Sequence, residues 1–149
     1  MKKYKSIVNE EVLKEFHVIR GRSLMNHVSN LYDIEMAIGF ASLYCPEVVE
    51  VEDCIFISEF YNDNIDSLRK QFATRKDIEI FVNSWSLETL LATNCKINYD
   101  TDHIDEFARA IKYFWQLRMK ELFPDRKIVV EIGEEIMGEI GLSVTMYQE

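Results

Sequence analysis

Between residues 102 and 122 apolar side chains return at helical spacing: Ile104, Phe107, Ala108, Ile111, Phe114, Trp115 and Leu122. The stripe predicts an amphipathic helix opened by Thr101 or Asp102 and closed by Pro124. A second stripe, Ile34, Ala37, Ile38, Ala41 and Tyr44, predicts a buried helix over 31–45. Pro46 stops it, because the residue before a proline is pushed out of the α region. Asn9 is placed to cap a short helix over 10–20, with Val12, Phe16 and Ile19 inward and Gly21 as its stop. Asn62-Asp63-Asn64 precedes a helix over about 65–73, with Ile65, Leu68 and Phe72 on its inner face. Thr74, three residues before Asp77, forms a capping-box-like start for a further helix through Trp85. Ser86 begins a short turn through Leu91.

The period changes in two places. Val48, Val49 and Val51, then Ile55, Phe56 and Ile57, are β-branched or aromatic clusters broken at Glu52-Asp53. They read either as one long strand or as a hairpin turning at Glu52-Asp53, and the break favours the hairpin. In an uninterrupted strand, Val49, Val51, Ile55 and Ile57 would share one face and Glu50 and Glu52 the other. Near the C-terminus, KIVVEIGEE and GLSVTMYQ predict two strands joined by residues 134–140. The order of elements predicts one α+β domain over 1–149, several helices packed on a small antiparallel sheet.

Composition fits that expectation. A chain of 149 residues buries roughly 68–70% of the surface its unfolded form exposes. With 48% hydrophobic residues it has the material for a core, and only five Gly and two Pro impose few turns. No apolar run approaches the ~18–20 residues that cross a bilayer. The basic start, MKKYK, lacks the apolar stretch of a signal peptide, so the cytoplasm is the expected compartment.

Charge adds the asymmetry. The net charge is −9, yet residues 1–22 carry six Lys/Arg against three Glu, which leaves −12 for the rest. Residues 46–66 hold Glu47, Glu50, Glu52, Asp53, Glu59, Asp63 and Asp66 with no Lys or Arg. Such a balance argues against direct nucleic-acid binding, which favours basic surfaces. A one-signed field instead steers oppositely charged partners.

Candidate chemistry is sparse. Cys45, Cys54 and Cys95 lack the close pairing of a zinc site and read as small buried hydrophobes. A Cys45–Cys54 disulfide is conceivable across a bend, but a cytoplasmic setting disfavours it. His17, His27 and His103 are scattered, and His103 reads as an exposed polar residue in a first helical turn. No metal or cofactor is expected. Glu50 and Glu52, two apart on a strand, are spaced to hold Mg²⁺ or to act as an acid/base pair. No phosphate loop or nucleophile elbow accompanies them, and charged edge strands are common for other reasons. The basic start lacks the interleaved aromatics of a nucleic-acid groove. Phe114-Trp115 sits within the long helical stripe and reads as core.

The run LYCPEVVEVEDCIFISEFY, residues 43–61, resembles a pattern of small bacterial immunity proteins of contact-dependent and polymorphic toxin systems, the similarity extending through the following helix to residue 73. The resemblance implies a small, cytoplasmic, non-catalytic antitoxin that caps a cognate toxin domain, often a nuclease. On that reading the partner-binding residues are Glu47, Glu50, Glu52, Asp53, Glu59, Asp63 and Asp66, with Phe60 and Tyr61 as aromatic anchors if exposed. The alternatives are a small metal-dependent or acid/base hydrolase using Glu50 and Glu52, or a non-catalytic adaptor subunit.

Overall fold

A computed structural model describes Ile7, residues 34–92 and residues 101–149. The expected helix over 10–20, His17, His27 and Cys95 lie outside these residues. Helix α1 (Ile34–Tyr44) leads into a hairpin of β1 (Val48–Val51) and β2 (Cys54–Ile57), then a 3-10 turn, Ser58–Phe60. Helices α2 (Ile65–Gln71) and α3 (Arg75–Asn83) follow, then a short strand β3 (Trp85–Ser86) and helix α4 (Leu87–Ala92). The long helix α5 (Thr101–Leu122) precedes β4 (Ile128–Glu134) and β5 (Leu142–Gln148). The strands form two antiparallel sheets, β1-β2 and β3-β5-β4, so the fold is α+β as the pattern predicts. Among the described residues no helix is long and apolar enough to cross a membrane.

Local chemistry sets most boundaries. The Thr74 hydroxyl accepts from the Asp77 N–H and donates to the Asp77 carboxylate, starting α3 as expected. That helix ends at Asn83 rather than Trp85, because Trp85 and Ser86 pair with Val144 and Ser143 of β5. Ser86 Oγ then accepts from the Thr89 N–H and caps α4. α5 starts at Thr101, and its buried stripe is Ala108, Ile111, Trp115 and Met119, with Leu122 left exposed.

The two-residue turn at Glu52-Asp53 resolves the hairpin question, with Val51 opposite Cys54 and Val49 opposite Phe56. It overturns the expectation that Val49, Val51, Ile55 and Ile57 share a face. Folding back places Val49 and Val51 with Cys54 and Phe56, while Ile55 and Ile57 point the other way. All four residues of β2 are buried, because the strand lies between two apolar clusters. Ile55 and Ile57 join Ile111, Trp115, Met119 and Val144, whereas Cys54 and Phe56 join Leu68 and Ile78.

α1 departs from expectation. Its predicted inner stripe is exposed, Ile34 by 73% and Ile38 by 60%. The C-terminal end reaches the core: Tyr44 meets the Phe114 ring at 4.9 Å, and Trp115 Nε1 donates to the Leu43 carbonyl at 2.9 Å. Helical periodicity reports which residues share a face, not whether anything covers it.

One polar feature is absent from every sequence expectation. Glu79 and Asn83, one turn apart on α3, are both fully buried. A Glu79 oxygen accepts from the Ile55 N–H at 2.8 Å, and its other oxygen from the Gln148 N–H at 2.7 Å. Asn83 accepts from the Ile57 N–H and donates to the Ile55 and Met146 carbonyls. These side chains occupy the place of a missing strand between β2 and β5, satisfying backbone groups that neither sheet pairs.

Candidate functional site

The hairpin is the frame on which the acidic segment is displayed. Its valines and isoleucines are held by the two clusters, and every carboxylate of residues 46–66 is exposed. Glu47 precedes β1, Glu50 lies on it, and Glu52 and Asp53 form the turn. Glu59 sits in the 3-10 turn, Asp63 before α2, and Asp66 in its first helical turn, where a negative charge is favourable. Glu52 adopts a positive φ of 56° and Asp63 one of 54°, conformations that non-glycine residues seldom adopt.

Tertiary structure divides these acids into two groups. Arg69 of α2 pairs with Glu52 at 3.1 Å and with Asp53, and Arg126 pairs with Glu50 at 2.5 Å. Glu47, Glu59, Asp63 and Asp66 have no ion pair among the described residues. The segment without a basic residue thus receives two arginines from elsewhere in the chain, and its unneutralised charge lies at Glu47 and along 59–66. Glu50 and Glu52, expected on one strand face, are drawn to different cations because Glu52 belongs to the turn.

Desolvation pushes the Asp53 carboxyl upward, but the hydrogen bond from Arg69 and its positive charge outweigh that and hold it below its ordinary value. A depressed carboxyl stabilises the fold above the unfolded value of about 3.9, and the contribution is lost as pH falls through the folded value. Replacing Arg69 with alanine is expected to raise the Asp53 titration midpoint toward its ordinary value, as NMR titration of the side-chain carboxyl would report.

The hairpin tip, the start of α3, the approach to β4 and the end of β5 surround an open cleft of about 490 Å³. Glu50, Glu52, Asp53, Asp125 and Glu149 line it together with Arg75, Arg126 and Lys127. It is a mixed-charge cleft, and Lys127 pairs with Glu149 across part of it. Among the described residues no three His, Cys, Asp or Glu side chains converge as metal ligands. Burial pushes the Cys54 thiol up to about 11, which disfavours the nucleophilic thiolate. Cys45 is exposed rather than buried as expected, and both cysteines are free thiols. His103 is half-buried at the start of α5.

Phe60 and Tyr61 turn inward instead of outward. Tyr61 stacks on Phe56 at 4.8 Å and 5°, and its hydroxyl accepts from the Ile65 N–H. Phe60 leans on Trp85 at 6.0 Å. Both are half-buried and serve to fix the hairpin to α2 and β3. Sequence reading passes over the residues that position the acids, namely Arg69, Arg126, Glu79 and Asn83. An isolated Glu in the amphipathic run RKDIEIFVN carries no signal that separates it from a solvent-facing one. Compared with known proteins, the chain matches no family model, no curated protein and no solved structure.

Proposed function

We propose that the protein is an immunity (antitoxin) protein that binds and neutralises a cognate bacterial toxin domain, a basic nuclease, through the acidic surface around residues 46–66. The observation that carries this reading is the display of seven exposed carboxylates on the anchored hairpin and the turn and helix that follow it, four of them without an ion pair among the described residues. Carboxylates on a fixed frame accept charge-assisted hydrogen bonds from Arg and Lys with little loss of entropy on binding. They would occupy the places that nucleic-acid phosphates take on the toxin, or cover the route to them. A stable complex of this kind buries about 1,600 Å². The hydrolase alternative receives less support, since Glu50 and Glu52 are each engaged by a different arginine.

The test is capture of the partner from source-cell lysate at low and high salt, then growth rescue when the recovered partner is expressed in a sensitive host. A basic, toxic partner released by salt is expected. Each desolvated charge pair broken from one side costs about 2–5 kcal/mol. Replacing Glu47, Glu59, Asp63 and Asp66 together with lysine is therefore expected to weaken binding by more than ~100-fold. Unchanged neutralisation by that folded variant would overturn the assignment of this surface.

A further inference from the structure

We infer that the outer edge of β1 is a strand-docking site for an extended basic segment of the partner, an inference that rests on the antitoxin reading and specifies how its surface is engaged. Hydrogen-bond alternation in the hairpin fixes which backbone groups point outward. Ser58 N–H donates to the Glu47 carbonyl, and the register places Val49 opposite Phe56 and Val51 opposite Cys54. In an antiparallel pair the bonded positions alternate. Glu47, Val49 and Val51 therefore bond to the partner strand, and the N–H and C=O of Val48 and Glu50 face away from it. The same alternation turns the Ile55 and Ile57 N–H groups outward on β2, and there Glu79 and Asn83 satisfy them. No such substitute serves β1: among the described residues nothing bonds to the outward groups of Val48 and Glu50.

The two edges of one hairpin are thus treated oppositely, one closed by buried side chains and one left open at exposed Glu50. Open edges recruit extended chains through their main-chain groups. Charge selects the occupant. An added strand sets its side chains directly beside those of β1, and like charges so placed are destabilising. Glu52 already holds Arg69 and Glu50 holds Arg126, so the selection rests on Glu47 at one end of the edge and on the remaining acceptor capacity of Glu50; these favour lysine or arginine over a second copy of the same acidic edge. Arg126 approaches one oxygen of the Glu50 carboxylate, and a carboxylate accepts further bonds.

The probe is a capped synthetic peptide of alternating lysine and valine, with two copies N-methylated at alternate residues, one in each frame. Binding to the full chain is followed by NMR. The unmodified peptide is expected to shift the Val48–Val51 amides and to slow exchange at Val48 and Glu50. Methylation in the frame facing β1 removes about two hydrogen bonds and is expected to weaken binding by roughly tenfold, the other frame little. Glu50→Pro, which removes an outward N–H, is expected to bind more weakly than Glu50→Ala, which keeps it. Equal binding by both methylated copies, shifts confined to Asp63 and Asp66, absence of peptide binding, or concentration-dependent self-association through β1 would each overturn the docking site. Edge binding together with failed toxin neutralisation would overturn the functional reading and leave the edge site standing.

Discussion

Replacing Glu79 with alanine is expected to destabilise the protein by about 3–5 kcal/mol, because two buried backbone donors lose their acceptor at once. The Ile55 and Gln148 N–H groups both end on this carboxylate, and the Gln148 side-chain amide donates to it as well. The Gln148 amide keeps a second acceptor, the Asp53 carbonyl at 2.9 Å, but the two backbone groups do not. Each buried donor left unpaired costs about 1–3 kcal/mol. Against a total stability of about 5–15 kcal/mol, that loss is large. Glu79→Gln is expected to lose less, since one oxygen still accepts from Ile55 while the new amide opposes the Gln148 N–H. Urea denaturation of the wild type and both variants checks the order. Equal stability of Glu79→Ala and wild type would show that Glu79 does not bridge β2 and β5.

Truncating Phe56 to alanine is expected to cost a comparable amount, about 3–5 kcal/mol. Its ring is fully buried, stacked on Tyr61 and packed with Cys54, Leu68 and Ile78. The cavity would open directly beneath the hairpin, so hydrogen exchange in β1 and β2 is expected to accelerate more than in β4. Ile34→Ala supplies the contrast. That residue is equally apolar but 73% exposed, and its loss is expected to stay within about 0.5 kcal/mol. Thermal and chemical unfolding of the two variants compares a covered apolar side chain with an uncovered one.

The Phe56 and Ile34 pair also marks how far the sequence was legible. Period-2 clusters, the Glu52-Asp53 break, the Thr74/Asp77 start and the Pro124 stop are local signals, governed by backbone geometry and capping within a few residues. They foretold the hairpin, the start of α3, the long helix and the final strand pair. Burial is a different quantity, decided by what arrives from elsewhere in the chain. The α1 stripe and the β2 cluster look alike as apolar runs, yet β2 is enclosed on both faces while Ile34 and Ile38 of α1 are exposed.

The candidate surface divides along the same line. That seven carboxylates would lie within residues 46–66, on or beside a β unit with an apolar anchor, followed from the sequence alone. Three results needed the tertiary structure: Arg69 and Arg126 neutralise the hairpin tip, Phe60 and Tyr61 turn inward, and two side chains of α3 stand in for a strand. The arginine pairs and the strand substitute depend on residues that are far apart in the chain and adjacent in space. Glu79 lies 69 positions from Gln148, and Glu50 lies 76 positions from Arg126. Local periodicity carries no information about such partners, because charge pairing and buried hydrogen bonding act through distance in space, which only the folded chain sets.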